Sequence, residues 1–138
     1  MRHSSHNSNF LGLLVLKNKS GYFSVTYNCL TKPILSSVRL LLAYNLINGY
    51  TVQRQNHFNL TITVFSKYEE GLVPVLRDIR FFSRPGCYRF LTLKRIKKLV
   101  SRSTHHDFSI LSTSIGVLTA SECLKKRIGG LLICNVSI

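Results

Sequence analysis

The chain has 138 residues, of which 45% are apolar, so it can bury one compact core or two small ones and is not a disordered chain. Its 19 Lys and Arg residues oppose only 5 Asp and Glu residues, and the formal net charge of +14 favours a polyanionic partner. The longest apolar runs, 10–16 and 40–47, are shorter than the roughly 18 residues that cross a bilayer, and neither has a basic amphipathic face. These features exclude a membrane span and favour nucleic acid over a membrane surface.

The amino-terminal part predicts the order helix, strand, helix, strand, strand. We expect the first helix to run from about Asn9 to Asn18 after a frayed polar tail. The other elements are predicted at 22–29 (strand), 31–48 (helix), 50–54 (strand) and 58–65 (strand).

The helix predicted over 31–48 has the clearest signals. Thr31 is placed to cap it and Pro33 fits its first turn. Leu35, Val38, Leu42 and Leu46 recur on one face, as expected for a helix that packs on a core. Gly49 follows as the residue expected to end it in a left-handed conformation.

The carboxyl-terminal part is the more basic one, because residues 76–138 hold 12 of the 19 Lys and Arg residues. It predicts an antiparallel sheet with short helices. Strands are expected over 73–82, 88–91, 108–111 and 131–138, and helices over 93–100 and 119–127, the latter ended by Gly129. We therefore predict an α+β fold of two small units, residues 1–72 and 73–138.

The stretch Ser112–Thr119 carries the densest local signals. Thr119 and Glu122 have the spacing of a capping box, which places a helix start at Thr119. The preceding Ser112, Thr113, Ser114 and Gly116 then form an exposed loop that a partner's backbone can approach closely. The alternative is that these residues only shape a turn, since Ser, Thr and Gly are common in turns for conformational reasons.

Catalysis and metal binding find no support in the sequence. Cys29, Cys87, Cys123 and Cys134 are widely spaced, with no Cys-x-x-Cys pair, and are predicted to be free, mostly buried thiols in a reducing compartment. No nucleophile elbow surrounds Ser112 or Ser114, and phosphate-loop and dinucleotide motifs are absent. We predict no enzymatic activity, no metal, no cofactor and no small-molecule substrate.

Several motifs in a fixed order resemble the ribosomal protein S8 (uS8) family. They are Ser83-Arg84-Pro85-Gly86, Ser112-Thr113-Ser114-x-Gly116-Val117-x-Thr119, Gly129-Gly130, and the terminal Leu132-Ile133-Cys134-x-Val136. The resemblance is specific over residues 76–138 and looser over 10–75. Two positions depart from the family pattern: Leu131 replaces a Glu that follows the Gly-Gly pair, and Phe90 replaces a Tyr.

The resemblance implies a protein that binds and stabilises the central domain of small-subunit rRNA, next to other small-subunit proteins. The implied and electrostatically favoured RNA-binding residues are Ser112, Thr113, Ser114, Gly116, Thr119, Arg84, Pro85, Gly86, Lys17, Asn18, Lys94 and Lys97. Divergence, few acids, and many Asn, Ser, Tyr, Phe and Ile residues favour a mitochondrial over a plastid member. The alternative function is a non-ribosomal basic regulator that binds RNA or DNA.

Overall fold

The computed structural model describes residues 2–82, 87–104 and 106–138, with side chains from Ser8 onward. The described residues form four helices and ten strands. The chain divides into two compact units, Met1–Arg77 and Asp78–Ile138. The mixture of helices with antiparallel sheets confirms the predicted α+β class.

The amino-terminal unit is a three-stranded antiparallel sheet with two helices. Its elements are α1 (Arg2–Lys19), β1 (Ser24–Tyr27), α2 (Lys32–Ala43), β2 (Ile47–Arg54) and β3 (Leu60–Ser66), and its strand order is β1-β3-β2. A two-stranded ribbon follows, β4 (Tyr68–Glu69) with β5 (Val73–Pro74). The buried core of the amino-terminal unit includes Phe10, Leu11, Leu14, Ile34, Val38, Leu41, Val25, Ile62 and Val64. The predicted order of the first five elements is therefore correct.

The start of α1 and the end of α2 differ from the predictions. Helix α1 begins at Arg2 rather than near Asn9, so the backbone of the segment predicted to be a frayed tail is helical. Helix α2 ends at Ala43, where Asn45 takes φ 61° and Gly49 instead belongs to β2. The N–H groups of Asn45 and Leu46 bond to helix carbonyls at 3.0 and 2.9 Å, the pattern of a Schellman cap, in which Asn can replace Gly.

The carboxyl-terminal unit is an antiparallel sheet with helices on one face. Its elements are β6 (Asp78–Phe81), β7 (Phe90–Leu91), α3 (Leu93–Arg102), β8 (Asp107–Thr113), β9 (Gly116–Thr119), α4 (Ala120–Lys126) and β10 (Gly130–Ser137). The strand order is β6-β10-β8-β9, and β7 also pairs with β10. Its buried core joins Ile96 of α3 and Cys123 of α4 to Leu111 and Leu132 of the sheet.

Two predicted elements of this region are corrected. The strand predicted over 73–82 is two strands, because β5 pairs with β4 in the first unit and β6 pairs with β10 in the second. Helix α4 is ended by Arg127, with φ 54°, rather than by Gly129. The N–H of Ile128 bonds to the Cys123 carbonyl at 3.0 Å, which closes the helix immediately before the glycine pair.

Candidate nucleic-acid interface

The predicted hydroxyl-rich loop is the end of a β-hairpin formed by β8 and β9. Thr113 and Gly116 are the last paired residues, so Ser114 and Ile115 form the turn. Gly116 takes φ 128°, a conformation that side chains disfavour, and the Thr113 hydroxyl donates to its carbonyl at 2.7 Å. The expectation of a loop leading directly into a helix was wrong, because Val117 and Leu118 extend the sheet first.

Thr119 anchors this hairpin and is not available to a partner. Its N–H donates to the Glu122 carboxylate at 3.0 Å, and its hydroxyl accepts from the Glu122 N–H at 3.4 Å, so the predicted capping box is present. Thr119 is only 1% exposed. Its prediction as an RNA-binding residue is therefore corrected to a positioning role: it fixes where β9 ends and α4 begins.

Gly130 supports the same hairpin from the neighbouring strand. A Cβ at this position would lie 2.8 Å from the Ser112 carbonyl and 2.9 Å from the Thr113 methyl. Gly129 is similarly restricted, since a Cβ there would lie 2.8 Å from the Leu91 carbonyl. The sequence offered this glycine pair as a family motif and Gly129 as a helix stop, and the structure shows that the pair lets β10 pass close to β7 and to the hydroxyl-bearing strand β8.

The two departures from the family pattern lie side by side. Phe90 pairs with Leu131 across β7 and β10, and Leu131 pairs on its other side with Ser112. Directly paired residues project from the same face of a sheet. An apolar pair therefore stands beside Ser112 where the family pattern has a Tyr and a Glu, and the two polar groups are lost together from one row.

Helix α3 presents a strongly basic exposed side. Lys94, Arg95, Lys97 and Lys98 are exposed around the buried Ile96, as the sequence predicted. The helix packs with Leu111 and Leu132, whereas Ser112 and Leu131 alternate to the opposite face of the sheet. The structure thus does not bring Lys94 and Lys97 onto the face that carries Ser112.

Lys17 and Asn18 have different environments at the end of α1. The Lys17 ammonium lies 4.2 Å from the centre of the half-exposed Tyr22 ring, a cation–π contact near the surface. Asn18 is 1% exposed and accepts a 2.5 Å hydrogen bond from the Ser66 hydroxyl. The Tyr68 hydroxyl lies 3.2 Å from the Asn18 carbonyl oxygen. Asn18 therefore ties α1 to β3, and its prediction as an RNA contact is corrected.

The predicted contact at Arg84, Pro85 and Gly86 lies outside the described residues. The flanking Arg89 is described and exposed, with its guanidinium carbon 5.8 Å from the centre of the Phe82 ring. This stacked arrangement keeps a cation next to the start of β7.

All four cysteines are free, but only Cys123 and Cys134 are buried, so the prediction of mostly buried thiols was wrong for Cys29 and Cys87. The two buried cysteines act as apolar packing groups. Burial raises the pKa of the Cys134 thiol to about 12, and burial together with Glu122 raises that of Cys123. Both thiols therefore stay neutral at physiological pH. The described residues contain no cluster of three or more His, Cys, Asp or Glu side chains that could hold a metal ion, and none of their helices is long and apolar enough to span a bilayer.

Comparison with known proteins identifies the family. Residues 13–137 match the family described as Ribosomal protein S8. Small ribosomal subunit protein uS8 of Brucella melitensis biotype 1 is 35% identical over 97 residues, which covers 70% of each chain. The corresponding protein of Anaeromyxobacter dehalogenans is 36% identical over 75 residues, or 54% of each chain. The chain belongs to the ribosomal protein S8 family, a family of structural ribosomal proteins.

Proposed function

We propose that this protein binds and stabilises the central domain of small-subunit rRNA during assembly and translation. The observation that carries this proposal is the β8–β9 hairpin, whose hydroxyl-bearing end is exposed while its base is fixed. The Thr119 cap and the close approach of Gly130 hold that base. A contact surface held in place before binding loses little conformational freedom when RNA docks.

The end of the hairpin offers groups that suit the shallow minor groove of A-form RNA. That groove displays 2′-hydroxyls and base edges, and small hydroxyl side chains can pair with both. The Thr113 proton is used within the hairpin, so its oxygen is left to accept from RNA. Ser114 and Gly116 are exposed, and Ser112 is half-buried. These four residues are the proposed readers of RNA shape.

Positive charge supplies the salt-dependent part of the proposed affinity. Lys94 and Lys97 on α3 and Lys17 on α1 are accessible to phosphates. Since α3 lies on the face opposite Ser112, we propose that its lysines contact a different RNA segment from the one that the hairpin reads. The segment Arg84-Pro85-Gly86 is proposed as a further contact in the same basic half of the chain.

We further propose that the protein works in mitochondrial small ribosomal subunits, next to other small-subunit proteins. The support is compositional: 5 acids in 138 residues, with many Asn, Ser, Tyr, Phe and Ile residues. Co-sedimentation of the intact protein with mitochondrial, plastid and cytosolic ribosomes separates the alternatives. Its recovery with plastid particles would replace the mitochondrial assignment, and recovery with cytosolic 80S particles would remove it.

The central test replaces Ser112, Thr113 and Ser114 together with alanine. We expect weaker binding of a central-domain rRNA stem, by about tenfold or more, since each hydrogen bond contributes roughly 0.5–1.5 kcal/mol. The matched control replaces Ser24, Thr26 and Thr63, three exposed or half-buried hydroxyl residues of the amino-terminal sheet, and should bind normally. Circular dichroism should show that both variants stay folded.

A salt series distinguishes the proposed function from a non-ribosomal regulator. The wild-type protein should prefer the stem over an unrelated RNA duplex at every salt concentration. Each phosphate contact releases a bound counterion and should add roughly 0.7–0.9 to the steepness with which log affinity falls against log salt concentration. Equal affinity for stem, duplex RNA and DNA would favour the regulator, and an unchanged dissociation constant for the triple variant would show that the hairpin is not the contact.

A further inference from the structure

A second hairpin extends beyond the core of the amino-terminal unit. We define the β2–β3 arm as residues 51–60, all of which are exposed. A strand that packs on a core buries every second residue, but here neither face is buried. Val52 and Leu60, in line with the buried Ile62, are still 43% and 42% exposed. The arm is therefore a projection supported by its own strand pairing.

The end of the arm is held in a defined shape. The Gln55 N–H donates to the Asn59 carbonyl at 3.1 Å and closes the loop. One terminal nitrogen of the Arg54 guanidinium donates to the His57 carbonyl, also at 3.1 Å. Arg54 has further N–H donors in its fork, so holding the loop does not exhaust its capacity to bind a phosphate.

Phe58 sits on this ordered end and is 95% exposed, the highest exposure among the large hydrophobic side chains of the described residues. Full burial of a phenylalanine side chain is favourable by roughly 1.5–3 kcal/mol, and a partner that covers Phe58 would obtain this free energy on binding. Its position at the far end of the arm leaves both faces of the ring open. A flat ligand can therefore stack on it.

The residues around Phe58 indicate the chemistry of that ligand. The loop 55–59 reads Gln-Asn-His-Phe-Asn, so Phe58 is its only apolar residue and no acid is present within the arm. Protein-binding aromatic anchors are normally ringed by further apolar contacts that exclude water. Amide groups, an imidazole and a guanidinium suit instead the edges of nucleobases and the phosphate backbone.

We propose that the β2–β3 arm binds an unpaired nucleotide of RNA, with the base stacked on Phe58 and the adjoining phosphate held by Arg54. This inference rests on the proposed rRNA-binding function and adds a second contact to it. Stacking tolerates any base, so the arm adds affinity and fixes orientation without reading sequence. The β8–β9 hairpin and this arm would then recognise two different RNA features, a helical groove and a single-stranded base.

The test compares Phe58→Ala, Phe58→Leu and Phe58→Tyr in the full-length protein, against a transcript of the whole central domain of small-subunit rRNA. Loss of one stacked base should weaken binding by roughly 5- to 100-fold in Phe58→Ala. Leucine keeps an apolar side chain but has no aromatic face, so Phe58→Leu should bind as weakly as the alanine variant. Phe58→Tyr keeps the face and should bind like the wild type.

A photo-crosslinking amino acid at position 58 gives an independent result. In reconstituted small subunits it should attach to a single-stranded nucleotide. Attachment to a ribosomal protein, or equal binding by Phe58→Leu and the wild type, would overturn the stacking proposal. Normal binding by all three variants would also overturn it, while the Ser112, Thr113 and Ser114 variant separately reports on the proposed function. If the wild-type protein shows no preference for rRNA, both proposals fail.

Discussion

The β8–β9 hairpin and the β2–β3 arm are both exposed, but they are held in place in different ways. The β8–β9 hairpin is short and fixed at its base by the Thr119 cap and by close backbone approach at Gly130. The β2–β3 arm is longer, is exposed on both faces and is ordered at its end by two local hydrogen bonds. The β8–β9 hairpin can therefore place small hydroxyl groups precisely. The β2–β3 arm instead carries one large aromatic group away from the core.

This contrast follows from the size of the groups involved. Hydroxyl hydrogen bonds weaken steeply with distance and angle, so Ser112 and Thr113 need a base that does not move. Stacking on an aromatic face tolerates sliding and rotation, so Phe58 can be carried on a less constrained support. Substitutions at the base of the first hairpin should therefore affect stability strongly, and substitutions on the arm should affect it little.

The largest expected effect is that of Gly130→Ala. The added Cβ would lie 2.8 Å from the Ser112 carbonyl, so strand β10 must shift away and the free energy of unfolding should fall by about 1–3 kcal/mol. The control is Gly12→Ala in α1, where nothing lies within 4 Å of the added Cβ. That variant should gain about 0.5–1 kcal/mol from improved helix propensity. Thermal unfolding measures both, and equal stability of the two variants would contradict the close-approach argument.

A smaller effect is expected for Thr119→Ala. Removing the hydroxyl leaves the Glu122 N–H without its cap and should cost about 1 kcal/mol of stability. Thr119→Ser keeps the oxygen and should recover most of that loss. Rescue of rRNA binding together with stability would show that Thr119 acts by positioning the hairpin. A serine variant as unstable as the alanine variant would instead assign the effect to the buried methyl group.

The smallest effect is expected for Phe58→Ala in the absence of RNA. A side chain that is 95% exposed makes few contacts within the chain, so chemical denaturation should reveal a change below about 0.5 kcal/mol. This variant would then combine normal stability with weak RNA binding, the reverse of what a core substitution produces. A loss above about 1 kcal/mol would mean that the ring packs on the protein itself.

Local signals in the sequence predicted the starts of α2, α3 and α4, whereas the start of α1 at Arg2 was missed. The capping box at Thr119 and the early Pro33 were both found where the sequence placed helix starts. The residues that cap the ends of α2 and α4 were predicted wrongly, because Asn45 and Arg127 take the left-handed conformation while Gly49 and Gly129 stand nearby as apparent stops. Which residue adopts that conformation depends on where packing ends the helix, and residue type alone does not settle it.

The sequence indicated which segment forms the candidate site, but not which of the candidate residues are exposed and which are buried. Ser112, Thr113, Ser114 and Gly116 do gather on one hairpin, as their hydroxyl-rich spacing suggested. Thr119 and Asn18 have the same chemistry as exposed polar residues, but both are buried and bonded within the chain. Burial of a polar group depends on partners distant in sequence, such as Ser66 for Asn18, which no local pattern reveals.

The pairing of Phe90 with Leu131 makes these two positions energetically coupled. A carboxylate introduced by Leu131→Glu would lie in the same cross-strand row as Phe90, and a hydroxyl introduced by Phe90→Tyr would extend from a ring that is 64% exposed. Effects of substitutions at directly paired residues are generally non-additive. We therefore expect the effects of the Leu131→Glu and Phe90→Tyr exchanges on the row beside Ser112 to depend on each other, which a double-mutant cycle measures.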